Sequence, residues 1–139
     1  MSIFPVRLSL RLDWSEMDMF GHINNVSYFK YIQASRVNYW ERIGINSDFK
    51  SAPAGPLLLS TGCRFIKPLV YPGNITVQAS VTYIKNTSFG IKHQLLNGDG
   101  ELAAEAEDVI VMYDYTKNEK IPVPADMRKL IEELEQKTF

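Results

Sequence analysis

The sequence predicts an α+β fold: an antiparallel five-stranded sheet wrapped around one long central helix, with a shorter helix at the C-terminus. Three observations predict it. Residues 24–43 place Val26, Tyr28, Phe29, Tyr31, Ile32, Ala34, Val37, Tyr39, Trp40 and Ile43 around most of a helical circumference. A helix that apolar is expected to be surrounded by protein. One stretch before it and four after it have the length and period of strands, and the later ones follow each other through short turns. Consecutive strands joined that way make an antiparallel sheet.

Each element has its own signal. Residues 6–12 (VRLSLRL) alternate apolar and polar side chains, as a half-buried strand does. Residues 13–21 read as a loop, and the long helix then runs to Gly44, a natural C-cap. Residues 46–56 (NSDFKSAPAGP) read as a connection rich in turn-forming and small residues. Residues 57–70 are apolar and long enough for one strand, stopped by Pro68 and the turn Tyr71-Pro72-Gly73-Asn74. The clearest strand is 75–83, where Ile75, Val77, Ala79, Val81 and Tyr83 alternate with Thr76, Gln78, Ser80 and Thr82. The polar face of that strand is expected to lie outside the deep core. Phe89, Ile91, His93 and Leu95 carry the next strand, and Asn97-Gly98-Asp99-Gly100 is a hairpin turn into the last, 102–115. Pro124 opens the final helix at its first position, with Met127, Leu130, Ile131 and Leu134 along one face.

Composition narrows the function. A chain of 139 residues is expected to form one domain, 1–139, with a real core. Its net charge of −1 argues against broad attraction to nucleic acid or anionic membrane. No apolar run approaches the ~20 residues of a membrane helix. Pro5 and Arg7 interrupt the apolar core a signal peptide would need. Cys63 is the single cysteine, so no internal disulfide forms, and two distant histidines make no metal cluster. A reducing, cytoplasmic location is the expectation.

The chemistry concentrates between Glu16 and Arg36. Asp18 offers a carboxylate, Gly21 lets backbone approach a ligand, and His22 stands at the helix entrance. Asn24 and Asn25 suit the N-cap. The helix beyond them aims unpaired N–H groups and the positive end of its dipole at the Asp18 loop, where an oxyanion could be held. Read alone, Asp18 is most simply a turn residue bonded to its own backbone.

The segment WSEMDMFGHINNVSYFKYIQASR, residues 14–36, resembles the 4-hydroxybenzoyl-CoA thioesterase-like branch of the hotdog-fold acyl-CoA thioesterases. The matching positions are Glu16, Asp18, Gly21, His22, Ile23, Asn24, Asn25 and Tyr28, with Ala34 and Arg36 further on. The resemblance continues through CRFIKPLVYPGNITV and YIKNTSFGIKHQL and covers almost the whole chain. Gln33 and Asn74 depart from it, standing where many members have a glutamate and an aspartate.

The resemblance implies an acyl-CoA thioesterase without metal or redox cofactor. Asp18 would attack the thioester carbonyl or activate water, and the Asn25 N–H would polarise the carbonyl. Gly21 would let backbone approach the substrate, His22 would order the loop ahead of acting as a catalytic base, Asn24 would cap the helix beside the substrate, and Tyr28 would belong to the core or line the acyl pocket. Arg64, Lys67, Lys85, Thr87 and Ser88, with Lys92 and Asn86 nearby, would form the surface for CoA phosphates and pantetheine. The resemblance also implies a homodimer, or a tetramer of two dimers, with an exposed sheet edge paired between chains. Acyl-carrier-protein thioesters are a close variant as substrate. A non-catalytic acyl-CoA binding module is the competing class, although such sensors usually carry a basic DNA-binding segment that is not evident in this sequence.

Overall fold

The computed structural model describes residues 3–45 and 53–139. The elements run β1 (Val6–Arg11), α1 (Asn25–Arg42), β2 (Ala54–Phe65), β3 (Asn74–Ile84), β4 (Ser88–Leu96), β5 (Leu102–Asp114), β6 (Glu119–Lys120) and α2 (Ala125–Glu135). The strands form one antiparallel sheet in the order β1-β3-β4-β5-β2, with the two-residue β6 added beside β5. The short β6 makes six strands where five were expected. Residues 46–52 of the expected connection lie outside the described residues.

Helix α1 lies against β1, β3 and β4. It starts where Asn24 accepts the Ser27 N–H at 2.8 Å. It ends at Gly44, whose φ of +87° a side chain would rarely tolerate. Its buried face is Ser27, Tyr28, Tyr31, Ile32, Ser35 and Tyr39. The expectation of a helix enclosed nearly all round is corrected here. Val26, Lys30, Gln33, Val37 and Glu41 form an exposed stripe, with Val26 71% exposed. The tyrosines made the helix look more apolar than it is. Each buried one spends its hydroxyl on a specific partner: Tyr31 on Glu16, Tyr39 on Glu135, and Tyr28 on the backbone of Lys67 and Leu69.

Two apolar clusters fill the space under the sheet. One gathers Tyr39, Ile43, Val81, Phe89, Ile91 and Ile110 around Met127 and Ile131 of α2. The other gathers Tyr28, Tyr31 and Ile32 with Ile75, Val77, Leu95 and Ala106.

Strand β2 begins and ends earlier than residues 57–70. Pro56 reads as a breaker but sits in β2, which occupies an edge, where a missing N–H is tolerated. After Phe65 the strand ends because the N–H groups of Ile66 and Lys67 both turn to the Ala103 carbonyl, at 2.8 and 3.0 Å. The polar face of β3 is also corrected: β3 is interior to the sheet, and Gln78 and Ser80 are buried. Gln78 bonds Gln94 at 2.9 Å, and Ser80 donates to Glu135 at 2.7 Å. The Val81 N–H, beyond the reach of β1, also goes to Glu135 at 2.9 Å. Pro124 is the cap of α2, one position before the one expected.

Candidate active site

The site is built where β1 hands over to α1. The Leu12 N–H bonds Gly73 at 2.9 Å, holding the end of β1 to the start of β3. Asp13 and Glu16 then close a capping box around the single turn Trp14–Glu16. Residues 18–22 follow as a closed loop: the Asp18 N–H reaches the His22 carbonyl at 2.7 Å and the Gly21 N–H the Asp18 carbonyl at 3.1 Å. The turn needs Gly21, at φ +83°. Met17 and Ile23 pair at its base.

Inside that loop the Asp18 carboxylate is held through one oxygen. Its Oδ1 accepts the N–H of Phe20 at 2.9 Å and of His22 at 3.2 Å. Oδ2 takes no hydrogen bond from the described residues. The His22 side chain is exposed, and it is the His22 backbone that orders the loop. Asn24 fastens the next step, giving its backbone N–H and its Nδ2 to the Glu16 carbonyl, both at 2.8 Å. Asn25 is the first residue of α1. Its N–H has no acceptor within the helix and stands at the positive end of the helix dipole.

A cleft of about 390 Å³ joins these groups. Asp18, His22, Ile23, Asn25 and Tyr28 line one side, and Phe65, Ile66, Lys67 and Pro68 line the other. Tyr28 is almost wholly buried, and its ring meets Phe65 edge-on at 4.9 Å between centroids. Its hydroxyl is occupied, taking the Leu69 N–H at 3.1 Å, and burial raises its pKa. The ring, not the hydroxyl, is what it offers a ligand. Lys67 is ion-paired with Glu101.

The structure thus brings Asp18, Gly21, His22, Asn24, Asn25, Tyr28 and Lys67 together. Arg64 is separate: it pairs with Glu105 at 2.7 Å on the sheet face away from α1. There it borders a larger groove of about 560 Å³, lined also by Ser60, Lys92 and Glu107. Size does not make that groove the better candidate, because the aspartate and the helix N-terminus are elsewhere. Lys85, Thr87 and Ser88 form the β3–β4 turn, with Lys85 N–H on the Ser88 carbonyl at 2.7 Å and the Lys85 ammonium 5.2 Å from the Tyr83 ring centre. Ten residues of β3, at roughly 3.3 Å each, separate that turn from the Asn74 end where the Asp18 loop is anchored. Within one chain the two do not meet.

Sequence reasoning left two features without a role. Phe65 forms part of the cleft wall, which only the position of β2 reveals. Glu16 is buried beneath the Asp18 loop, and the spacing Asp13-x-x-Glu16 of a capping box was the signal that could have singled it out. Burial pushes the Glu16 pKa up, but bonds from Tyr31, Asp13 and Lys30 pull it below the ordinary glutamate value. Among the described residues no three His, Cys, Asp or Glu side chains are grouped to hold a metal ion.

An antiparallel sheet laid over a long helix, with an aspartate loop at the helix entrance, defines a hotdog-fold protein. The chain belongs to the thioesterase-like superfamily, whose sequence model matches residues 12–131. It is 20% identical over 132 residues to the L-carnitine dehydrogenase/betainyl-CoA thioesterase of Agrobacterium fabrum, covering 94% of this chain and 27% of that one. It is 28% identical over 115 residues to the chloroplastic acyl-acyl carrier protein thioesterase ATL3 of Arabidopsis thaliana, covering 81% and 60%. The chain therefore spans about a quarter of the first of these relatives and three fifths of the second. Among solved structures, a Thermus thermophilus thioesterase complexed with coenzyme A and zinc superposes with a TM-score of 0.88 over 100% of both chains, at 22% identity. No helix is long and apolar enough to cross a membrane among the described residues.

Proposed function

We propose that this protein hydrolyses acyl-CoA thioesters to free acid and CoA. The observation that carries the reading is the Asp18 carboxylate, pinned through Oδ1 by two backbone N–H groups, beside the open N-terminus of α1. A thioester laid in the cleft would place its carbonyl oxygen at the Asn25 N–H, where developing negative charge is stabilised. Oδ2 of Asp18 would then face the carbonyl carbon, either to attack it or to take a proton from the attacking water. The Tyr28 and Phe65 rings and Ile23 give the acyl group an apolar wall. Membership of the thioesterase-like superfamily supports the reaction class.

The proposal includes a homodimer. Among the described residues no further strand pairs with β1 or β2 at the sheet edges, and Lys85, Thr87 and Ser88 are too distant to serve the cleft of their own chain. Paired edge to edge, two chains would let the Lys85–Ser88 turn of one hold the CoA phosphates while Asp18 and Asn25 of the other hold the thioester. Thiol release from a panel of short, long and aromatic acyl-CoAs, with acyl-carrier-protein thioesters alongside, tests the function. Turnover of at least one acyl-CoA is expected. Hydrolysis of carrier-protein thioesters alone would replace the substrate, and binding without turnover would replace the enzyme by a binding module.

A further inference from the structure

We infer that Glu16 is the positioning residue of the Asp18 loop, fixing that loop against the first turns of α1. The inference rests on the reading of Asp18 proposed above and deepens it. Five donor contacts converge on this one residue. Its Oε1 accepts the Tyr31 hydroxyl at 2.7 Å and the Asp13 N–H at 3.1 Å. Its Oε2 pairs with Lys30 at 3.1 Å. Its carbonyl accepts both Asn24 donors at 2.8 Å. The side chain is thus tied to the body of α1 and the backbone to the cap of α1.

The consequence for Asp18 follows from chain geometry. Asp18 is two residues beyond Glu16, and the loop it heads returns to the chain through the Met17–Ile23 pair. Residues 18–22 are closed on themselves by their own hydrogen bonds, so the loop behaves as one rigid unit. The base of that unit is held on one side by Glu16. Glu16 therefore sets the distance between Asp18 Oδ2 and the Asn25 N–H, although it touches neither reacting atom. Displacements of about 1 Å in such a pair cost rate by up to two orders of magnitude.

Glu16 is only 7% exposed. A carboxylate buried for stability alone is a poor choice, because an apolar side chain of similar size often does as well. Lys30 is largely exposed, so its leg of the clamp is weak. The buried Tyr31 hydroxyl is the leg that fixes direction.

Steady-state hydrolysis of the acyl-CoA that the full chain turns over fastest tests this, with Glu16→Met, Tyr31→Phe and Asp18→Asn compared well below their unfolding midpoints. Glu16→Met, which keeps the size of the side chain but removes both acceptor oxygens, should lower kcat about tenfold or more while KM stays within about twofold. Tyr31→Phe should lower kcat in the same direction by less. If Glu16→Met does not fold, the kcat-only loss in Tyr31→Phe carries the test. A kcat within about twofold of wild type in whichever variants fold would overturn the positioning role. So would a rate loss that merely follows the unfolded fraction and disappears on cooling. Asp18→Asn inactive beside an unaffected Glu16→Met would overturn only this inference, whereas Asp18→Asn at the wild-type rate would overturn the reading of the site.

Discussion

Arg36 Nε lies 2.9 Å from Oδ2 of Asp108, a carboxylate with no exposed side-chain surface. The pair sits at the centre of a buried polar set between the two apolar clusters. His93 Nε2 is 2.7 Å from the same oxygen, Thr61 donates to the other at 2.7 Å, and Ser35 Oγ is 2.8 Å from His93 Nδ1. One carboxylate thus ties α1 to β2 and β4 from its place on β5. Removing its charge would strand a guanidinium and an imidazole in the interior. Asp108→Asn should therefore lower unfolding stability by about 3 kcal/mol. Denaturant titration reads this directly, and a change below about 1 kcal/mol would contradict the network's importance.

The same group predicts a dependence on pH. Burial works to raise the Asp108 pKa, but bonds from His93, Arg36 and Thr61 outweigh it and bring the value from 3.8 to about 2. A folded-state value below the unfolded one means the stabilisation is complete above about pH 4 and disappears as pH falls towards 2. Its size is on the order of 2 kcal/mol. Urea unfolding at pH 5 and pH 2.5 should show a larger loss for the wild type than for Asp108→Asn. Equal losses would contradict the assignment.

Asn24 caps α1 and also binds Glu16, so its replacement should show twice. Asn24→Ala should cost about 1 kcal/mol in thermal or denaturant unfolding, the usual value of a side-chain cap. It should also lower kcat, because the Asp18 loop loses one of its two ties to Glu16's carbonyl. A stable, fully active Asn24→Ala would contradict both roles.

The outer edge of β2, beside which no strand lies among the described residues, predicts assembly. Its outer length carries Leu57, Leu58 and Leu59, the last at the irregularity in its pairing with β5 and 55% exposed. Unpaired edge groups beside exposed leucines favour pairing with another chain. Sedimentation or light scattering at micromolar concentration should give a dimer or tetramer. A fully active monomer would contradict both the edge pairing and the site shared between chains.

Much of this architecture was legible because its signals are local. Asn24 as cap, Gly44 at the helix end and the turn at Asn97–Gly100 are each fixed by one side chain or one backbone conformation. Gly100 indeed has φ +78°, and Asn97 Oδ1 takes the N–H groups of Asp99 and Glu101. The start of β2 was not legible, because Pro56 breaks an interior strand yet is tolerated at an edge, and edges are decided by the whole sheet. Nor was the exposed stripe of α1, since the side chains that bury Tyr31 and Tyr39 come from distant segments. The buried network was the least visible. Ser35, Thr61, His93 and Asp108 are ordinary residues singly, and only strand register and the position of α1 bring them together. At the site, the sequence pointed to the Asp18 loop and the helix entrance, while Glu16 and Phe65 needed the packed structure to acquire a role.

The proposed hydrolysis depends on Asp18, and Asp18→Asn tests it most directly. The amide keeps the size of the side chain and its carbonyl oxygen can still accept from Phe20 and His22, so the fold and its unfolding midpoint should be nearly unchanged. Hydrolysis of the preferred acyl-CoA should fall by roughly 10²-fold or more, as for loss of a general base. A folded Asp18→Asn that releases thiol at the wild-type rate would contradict the account.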